Sequence, residues 1–336
     1  MKIKITLIVT LLFSVSISSQ NLDDFLIAGA EDAQRFAADY LRPANSALVY
    51  GINNSWYNNT KTLKRFGFEI SIIGNGVFIK GEDREFVLRA NEYNNLRFPD
   101  NSASKTVVTA LGHRDPKQQV ILTYDAPIFG GQEITIDLPT GLAEMNINTL
   151  PTAFLQASFA PFYGTQVKVR YFPKIDQNDV ETGFYGIGLQ QDFTAFLKED
   201  SLFPLTVTGL IAYTQLNGEY DLQGNIRVAG SNQRIETETS TMLYQAIVAT
   251  KLNKINFYGS IGYVDGQSET KLAGEYRVSN LAVFSEGVTD PVNINEDTDG
   301  LISTLGANLK LGIFGLNASY SFAEFNSASL GMNFTF

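Results

Sequence analysis

The last ten residues, SASLGMNFTF (Ser327–Phe336), alternate strictly between apolar and small polar side chains. Because successive side chains of a β-strand point to opposite faces, this alternation places all the apolar residues on one face. An apolar face opposite a small polar face is what a membrane-spanning barrel strand needs, since one face meets lipid and the other a wet lumen. The apolar residues are Ala328, Leu330, Met332, Phe334 and Phe336.

The same alternation recurs throughout the second half of the chain. In residues 165–172, for example, an apolar face opposes a polar face that contains Lys168 and Arg170. Such runs are typical of half-buried strands. From Pro151 onward the pattern predicts nine strands, at residues 152–160, 165–172, 183–190, 204–217, 241–251, 255–264, 301–312, 315–322 and 327–336.

The pattern before Pro151 is more mixed. It predicts a pair of strands at Val49–Tyr57 and Phe66–Ile79, joined by a polar turn at Asn58–Lys61, and then three shorter strands at Glu85–Arg89, Gln119–Tyr124 and Glu133–Leu138. The total is fourteen, with twelve as the alternative, and an even number suits a barrel with both chain ends on one side. The sequence therefore predicts an all-β fold, a transmembrane antiparallel β-barrel that occupies residues 46–336.

The lengths of the connections agree with this arrangement. Bacterial barrels have short turns on the periplasmic side and long loops outside. If the C-terminus lies in the periplasm, the tight connections at Gly312–Gly315, Leu252–Lys254 and Pro161–Gly164 fall on that side. The long excursions Gly218–Ser240 and Asp265–Gly300 fall on the outer side.

One segment departs from the β pattern. Between Asn21 and Leu41, apolar residues that include Phe25, Phe36 and Tyr40 recur at helical spacing. We expect an amphipathic helix that ends at Pro43, within a plug segment at residues 20–45 that closes the barrel mouth or lies beneath it. A helix on the membrane surface or one that binds a partner is the alternative.

The N-terminus has the features of an export signal. Lys2 and Lys4 precede the apolar run Ile5–Ile17, and small residues follow, so we expect a signal peptide at residues 1–19 and a location in the cell outer membrane. The chain contains no cysteine, which excludes disulfides and thiolate metal sites. Its net charge of −10 disfavours nucleic acid as a partner. The composition by itself also fits a secreted two-sheet protein.

The polar faces of the predicted strands supply the candidate site. Glu69, Lys168, Arg170 and Lys310 would place charges in the lumen, where charges determine what passes. They could instead pair with one another or with the acidic residues of the helix.

Residue patterns that carry chemistry are weak. His113 is the single histidine and stands in turn sequence, so no triad or histidine metal site is expected. Asn295–Gly300 imitates the first half of a calcium loop, but Gly306 stands where the last carboxylate belongs, so calcium binding by an acidic outer loop stays a minor alternative. We predict no catalytic residue, no metal and no cofactor.

Several of these features together resemble known families. A terminal phenylalanine, with Phe334 before it, resembles the signal that barrel-assembly machinery recognises in the last strand of outer-membrane barrels. The signal peptide, N-terminal helix and barrel resemble the long-chain fatty-acid transporter superfamily, which carries hydrophobic molecules through a lumen closed by an N-terminal hatch. Pro151–Pro173 (PTAFLQASFAPFYGTQVKVRYFP) and Gly183–Asp192 (GFYGIGLQQD) resemble a family of uncharacterised barrels of Bacteroidota.

The function expected from these patterns is passage of a small hydrophobic molecule through a plugged lumen, with outer-membrane lipid around the barrel. The alternative is a structural or docking barrel for a secretion or surface-assembly partner. An outer-membrane enzyme is a third possibility, and it would require His113 to lie on the barrel wall beside a serine or an aspartate.

Overall fold

The computed structural model describes residues 23–60, 62–126, 130–145, 147–177, 180–196, 205–222, 228–280, 283–284 and 287–336. The predicted signal peptide lies outside these residues. A 3₁₀ turn at Asp23–Ala28 leads into helix α1 (Ala30–Asn53). The strands are β1 (Phe68–Phe78), β2 (Glu85–Arg89), β3 (Leu96–Arg97), β4 (Ser104–Val108), β5 (Gln119–Ala126), β6 (Gly130–Asp137), β7 (Thr149–Phe162), β8 (Thr165–Gln177), β9 (Val180–Asp192), β10 (Leu205–Asp221), β11 (Val228–Thr250), β12 (Ile255–Asn280), β13 (Val283–Phe284), β14 (Val288–Thr289), β15 (Val292–Leu311), β16 (Phe314–Phe322) and β17 (Ser327–Thr335).

Ten of these strands form a closed antiparallel barrel. Their order around the ring is β1, β7, β8, β9, β10, β11, β12, β15, β16 and β17, and β17 pairs again with β1. The closing pair runs from Glu69 opposite Thr335 to Val77 opposite Ser327. The C-terminal alternating stretch is therefore the strand that completes the ring.

The predicted strand number of fourteen, or twelve, is wrong, and the error lies entirely before Pro151. All nine strands predicted after that residue are confirmed as ring strands, and Phe66–Ile79 is confirmed as β1. Glu85–Arg89 and the two runs near 119–138 do form strands, but in two small separate sheets, β2–β4 and β3–β5–β6. Runs of five to eight residues are shorter than the roughly 9–11 residues that a tilted strand needs to cross a bilayer.

The remaining error concerns helix α1. The predicted strand Val49–Tyr57 is instead the last turn of α1 followed by a turn at residues 54–56, and Pro43 lies inside the helix rather than at its end. Pro43 removes one backbone hydrogen bond. The helix nevertheless continues because residues 44–53 lie inside the ring and are mostly buried, where a helix satisfies the backbone groups within the segment itself.

The barrel has two distinct ends. The turn end carries the tight connections at 163–164, 251–254 and 312–313 together with Phe336. The loop end carries the connections at 222–228 and 281–291 and a large insertion between β1 and β7, which we call the loop-end module (residues 79–148). The three predicted tight connections do lie together at one end. The predicted long excursions Gly218–Ser240 and Asp265–Gly300 are wrong as loops, because most of their residues extend the ring strands β10, β11, β12 and β15.

The outer face of the ring is an apolar belt. On β1, exposed and buried residues alternate, and the outward side chains run from Phe68 to Phe78. These ten residue steps cover about 33 Å along the strand, or roughly 25 Å across a bilayer at a tilt near 40°. Aromatic side chains mark both margins of the belt: Phe66, Phe159, Phe162, Tyr163, Phe314 and Phe336 at the turn end, and Phe78, Tyr185, Tyr263 and Phe322 at the loop end. Within the described residues, no helix is long and apolar enough to cross a membrane.

Leu330 provides a test of the belt because its side chain is 70% exposed near the middle of β17. We expect Leu330→Arg to lower the free energy of unfolding in phospholipid vesicles by about 2–4 kcal/mol, since a cation at the bilayer midplane must leave water. Denaturant titration in vesicles measures the change. Val87→Arg is the control, because Val87 is exposed on the loop-end module, and we expect it to have little effect. Equal stability of Leu330→Arg and the unaltered chain would contradict a lipid-facing belt.

Candidate functional site: the lumen

The N-terminal part of the chain passes through the ring from the loop end to the turn end. At the loop end, the Tyr40 hydroxyl donates to the Thr140 carbonyl at 2.7 Å, within the loop-end module. Further along, Asn75 on β1 donates to the Gly51 carbonyl at 3.2 Å, and Asn333 on β17 donates to the Asn58 carbonyl at 2.8 Å. We call residues 44–60 the luminal segment.

Arg170 binds the end of helix α1. Its guanidinium donates to the carbonyl of Ile52 at 3.1 Å, to that of Asn54 at 2.7 Å and to the side chain of Gln156 at 2.9 Å. The last carbonyls of a helix lack partners within the helix and carry its partial negative charge. A fully buried cation is thus neutralised by a helix terminus, and the same contact fixes the position of the luminal segment.

Trp56 occupies a recess in the barrel wall beside Arg170. The guanidinium lies 4.1 Å from the centre of the Trp56 ring, in a cation–π contact. A Cβ atom on Gly186 would lie 2.9 Å from the ring, and one on Gly188 would lie 3.0 Å from it. These two glycines of β9 leave room for the indole, which explains the glycines of GFYGIGLQQD as positions of close contact.

Asn58 connects the luminal segment to several strands. Its amide group donates to Ser71 at 2.7 Å and to Asn333 at 3.0 Å. Its side-chain oxygen accepts from Gln156 at 3.2 Å and from Lys168 at 3.3 Å. Both donors and both acceptor positions of the side chain are therefore used, which makes Asn58 a fixed junction rather than part of a surface turn.

Three of the four predicted lumen-facing residues, Glu69, Lys168 and Arg170, are buried, and the fourth, Lys310, is half-buried. Lys168 and Arg170 lie side by side on β8, are both buried, and contact backbone carbonyls of the luminal segment. Glu69 is buried nearer the turn end, where it accepts from Thr335 at 2.9 Å. Lys310 is half-buried at the end of β15, near the tight turn that follows this strand. The partners of Lys168 and Arg170 are helix-end carbonyls and amides rather than carboxylates of α1.

The aromatic residues predicted for the plug helix lie at the loop end. Phe36 stacks on Phe25 with ring centres 4.0 Å apart and on Tyr40 at 5.7 Å. All three are buried in a core shared with the loop-end module. They hold α1 at the mouth, while residues 44–60 occupy the lumen itself.

The two sides of the lumen differ in chemistry. The strands on either side of the β1–β17 closure contact the luminal segment mainly through hydrogen bonds, which come from Ser71, Asn75, Gln156, Lys168, Arg170, Asn308, Ser319 and Asn333. The opposite wall is formed by β10 to β12. Its buried side chains are mixed, with the apolar Leu210, Ala212, Leu216, Leu243, Ile247, Ala249, Tyr258 and Val264 beside the polar Thr206, Thr208, Thr214, Gln215, Thr239, Thr241, Asn256, Ser268 and Thr270. This wall also donates to the luminal segment, from Thr241 to the Asn53 side chain at 3.2 Å and from Tyr258 to the Tyr57 carbonyl at 3.4 Å.

Two other sequence candidates lie away from the lumen. His113 is exposed on the loop-end module and is not on the barrel wall. Asn295–Gly300 is not a loop but part of the regular strand β15. Among the described residues, there is no cluster of three or more histidine, aspartate or glutamate side chains that could hold a metal ion.

The sequence patterns did not single out the residues that build the centre of this site, namely Trp56, Asn58, Gln156 and Asn333. Asn58 was assigned to a turn between two strands. The run Asn53-Asn54-Ser55-Trp56-Tyr57-Asn58-Asn59 contained a usable signal, because it combines the single tryptophan of the chain with four asparagines. Four side-chain amides in seven residues would normally indicate a surface turn. They indicate a buried hydrogen-bonded junction only if the segment is known to be enclosed.

A family model matches the whole sequence, residues 1–336. The chain belongs to DUF6588, a family of unknown function. None of the curated proteins has a significantly similar sequence.

Solved structures with related folds are distant. Ail, the attachment invasion locus protein of Yersinia pestis, is 10% identical with a TM-score of 0.28, over 81% of this chain and 100% of its own. The translocator domain of the autotransporter NalP from Neisseria meningitidis is 10% identical with a TM-score of 0.30, over 82% and 90%. The Ralstonia pickettii toluene transporter TbuX is 8% identical with a TM-score of 0.21, over 81% and 89%.

Arg170→Met tests the role of the guanidinium. The substitution leaves the carbonyls of Ile52 and Asn54 buried without their donors, at about 1–3 kcal/mol each, so we expect a loss of at least about 2 kcal/mol in stability. Trp56 is the single tryptophan, and its fluorescence should shift to longer wavelength and become more accessible to a neutral quencher. Arg65→Met, at an exposed arginine over Phe66, is the control. Unchanged emission in Arg170→Met would contradict the proposed anchoring.

Gly186→Ala tests the recess for Trp56. The added Cβ would lie 2.9 Å from the indole and 2.9 Å from the Tyr213 carbonyl, so both the ring and the neighbouring backbone of β10 must shift. We expect a red-shifted emission without loss of the barrel. Gly259→Ala on β12 is the matched control because the nearest side-chain atom to its Cβ would be 3.5 Å away, an ordinary contact. The recess is wrongly assigned if both variants emit alike.

Proposed function

We propose that this protein is an outer-membrane barrel that passes a small, apolar molecule, and that the luminal segment is the plug that closes it. The support is the combination of a closed ring, an apolar outer belt of membrane thickness, and a lumen occupied by a chain segment that is not part of the wall. We assign no catalytic residue and no cofactor.

The observation that carries this proposal is the way in which the luminal segment is attached. Its hydrogen bonds to the ring run through individual side chains, such as Arg170, Lys168 and Asn75, and the ring strands pair only with one another. The segment can therefore separate from the wall without breaking a single strand pair. A segment attached in this way suits a plug, because it can leave while the wall stays intact.

The class of cargo follows from the two unlike walls. Most hydrogen bonds to the plug come from strands near the β1–β17 closure, whereas the wall from β10 to β12 adds aliphatic contacts and fewer hydrogen bonds, among them those of Thr241 and Tyr258. Apolar contacts lack directional bonds and separate with less geometric constraint than a hydrogen-bonded network. A plug that stays attached by its polar side and tilts away from β10–β12 would open a path lined by Leu210, Leu243 and Ile247. Such a path suits a small hydrophobic molecule, as in the transporter superfamily that the chain resembles.

The proposed location and orientation of the barrel in the outer membrane follow from the N-terminal and C-terminal segments of the chain. The predicted signal peptide directs export, and β17 with Phe334 and Phe336 would be the strand presented to the barrel-assembly machinery. The turn end then faces the periplasm, and the loop-end module faces outward. Lipid of the outer membrane would contact the belt, and the acidic net charge disfavours nucleic acid.

A docking barrel is the second candidate, and the loop-end module favours it. The module carries two small sheets and its own buried residues, such as Leu88, Phe98 and Leu122, beyond what a simple loop requires. A barrel of this kind would bind a stoichiometric protein partner through the module and show no uptake.

An engineered disulfide distinguishes the transport barrel from the docking barrel. The chain has no cysteine, and the hydroxyl oxygens of Ser55 and Ser319 lie 3.2 Å apart, so Ser55→Cys with Ser319→Cys should link the plug to β16 on oxidation. We expect oxidation to abolish entry of an uncharged aromatic dye into proteoliposomes and a reductant to restore it. Thr304→Cys with Ser321→Cys, which joins two wall strands at 2.9 Å between hydroxyls, is the control. Dye entry that is the same in both redox states would exclude a mobile plug.

A further inference from the structure

Helix α1 is shared between two compartments of the molecule. Its first half is packed in the loop-end module, where Phe36 is fully buried and lies 5.9 Å from the ring of Phe86. The Asp32 carboxylate accepts the backbone amides of Asn94 and Asn95 at 2.9 and 2.8 Å. These charge-assisted bonds attach the start of the helix to the module.

The second half of the same helix ends at the Arg170 contact in the lumen. With 24 residues, α1 is about 36 Å long, so one rod connects the outer surface of the module with the middle of the barrel. A displacement of the first half along the helix axis must move the carbonyls of Ile52 and Asn54 relative to the guanidinium, unless the helix bends.

The helix has one point at which it can bend. Pro43 lies between the half packed in the module and the half inside the ring, and it removes the hydrogen bond that would cross this level. The wall holds this point through Glu296 on β15. One of its carboxylate oxygens accepts from Asn45 at 2.9 Å, and the other lies 3.8 Å from Arg42. Arg42 also pairs with Asp39 at 2.8 Å.

We call the contacts of Glu296 with Asn45 and Arg42 the clasp, and its hydrogen bonding is incomplete. The Glu296 oxygen that faces Arg42 is buried and has no hydrogen-bond partner, while Arg42 itself is well exposed. A buried carboxylate oxygen without a hydrogen bond keeps a desolvation cost that full pairing would remove. The wall therefore holds the hinge by this contact and by a hydrogen bond between the Ser46 and Thr298 hydroxyls at 3.2 Å, without a buried cation such as Arg170 at the helix end.

We propose that the loop-end module controls the plug: α1 transmits a displacement of the module to the luminal segment, with Pro43 as the hinge and Glu296 as the clasp. This inference rests on the proposed function in one respect, that the luminal segment is mobile. It adds that the signal for movement arises outside the barrel, at the module, and not from cargo inside the lumen.

A single reporter cysteine tests the coupling. Ser55→Cys places a thiol just beyond the end of α1 in a chain that is otherwise free of cysteine, and its labelling by a water-soluble maleimide reports the position of the segment without any transport. In this background, Phe36→Ala should weaken the packing of α1 against the module and raise the labelling rate at least fivefold. Glu296→Ala, which removes the clasp, should change it in the same direction.

The matched control is Val87→Ala, which removes the same kind of apolar surface at an exposed site of the module and should leave labelling unchanged. A second variant, Asp32→Ala, loosens the same attachment without a cavity in the aromatic cluster, in case Phe36→Ala prevents assembly. Heat-dependent gel migration verifies that each barrel is closed.

An uncoupled helix completes the design. Two glycines inserted between Pro43 and Ala44 interrupt the rod, and in this variant Phe36→Ala should no longer change the labelling rate. The coupling is overturned if Phe36→Ala and Asp32→Ala leave labelling unchanged in closed barrels, or if the inserted glycines make no difference to their effect. Loss of dye transport with these labelling changes intact would instead overturn the proposed function alone.

Discussion

A chain surrounded by hydrocarbon must satisfy every backbone N–H and C=O group from within the protein, because lipid offers no partner. In this molecule the ring meets that requirement by pairing β17 with β1, so that each of the ten strands has a neighbour on both sides. Inside the ring, the luminal segment meets the same requirement in a different way, as a helix whose last carbonyls receive the guanidinium of Arg170. The architecture of the ring and of the luminal segment follows from this constraint.

Strand pairing in the ring and the attachment of the luminal segment differ in how many bonds must break before each can separate. Strand pairing in the ring is cooperative and continuous along its length, and it leaves little freedom for the wall to change. The luminal segment is attached at separate points, and the strongest of them combines hydrogen bonds to a helix terminus with a cation–π contact to Trp56. A buried arginine is costly to desolvate, and here the carbonyls and the aromatic ring around it compensate for that cost. The strands near the β1–β17 closure carry most of these separate points, and β10–β12 add aliphatic contacts with fewer hydrogen bonds.

Much of the fold was predictable from the sequence. The period-two pattern located β1 and all nine ring strands after Pro151, because a strand with one face toward lipid and one toward the lumen must alternate. It also put Lys168 and Arg170 together on one face. The same pattern could not tell a ring strand from a strand of the loop-end module, since β5 and β6 alternate for the same local reasons, and this is why the predicted number of strands was too high.

The sequence by itself determined the type of wall, the faces of its strands and the presence of an amphipathic N-terminal helix, because these depend on neighbours within a few residues. Only the tertiary structure decided that this helix continues past Pro43, that Asn58 and Trp56 are enclosed, and that Arg170 binds the helix end rather than a carboxylate. Those outcomes join residues more than a hundred positions apart. They depend on which groups the closed ring removes from water, a condition that exists only after the first and last strands have paired.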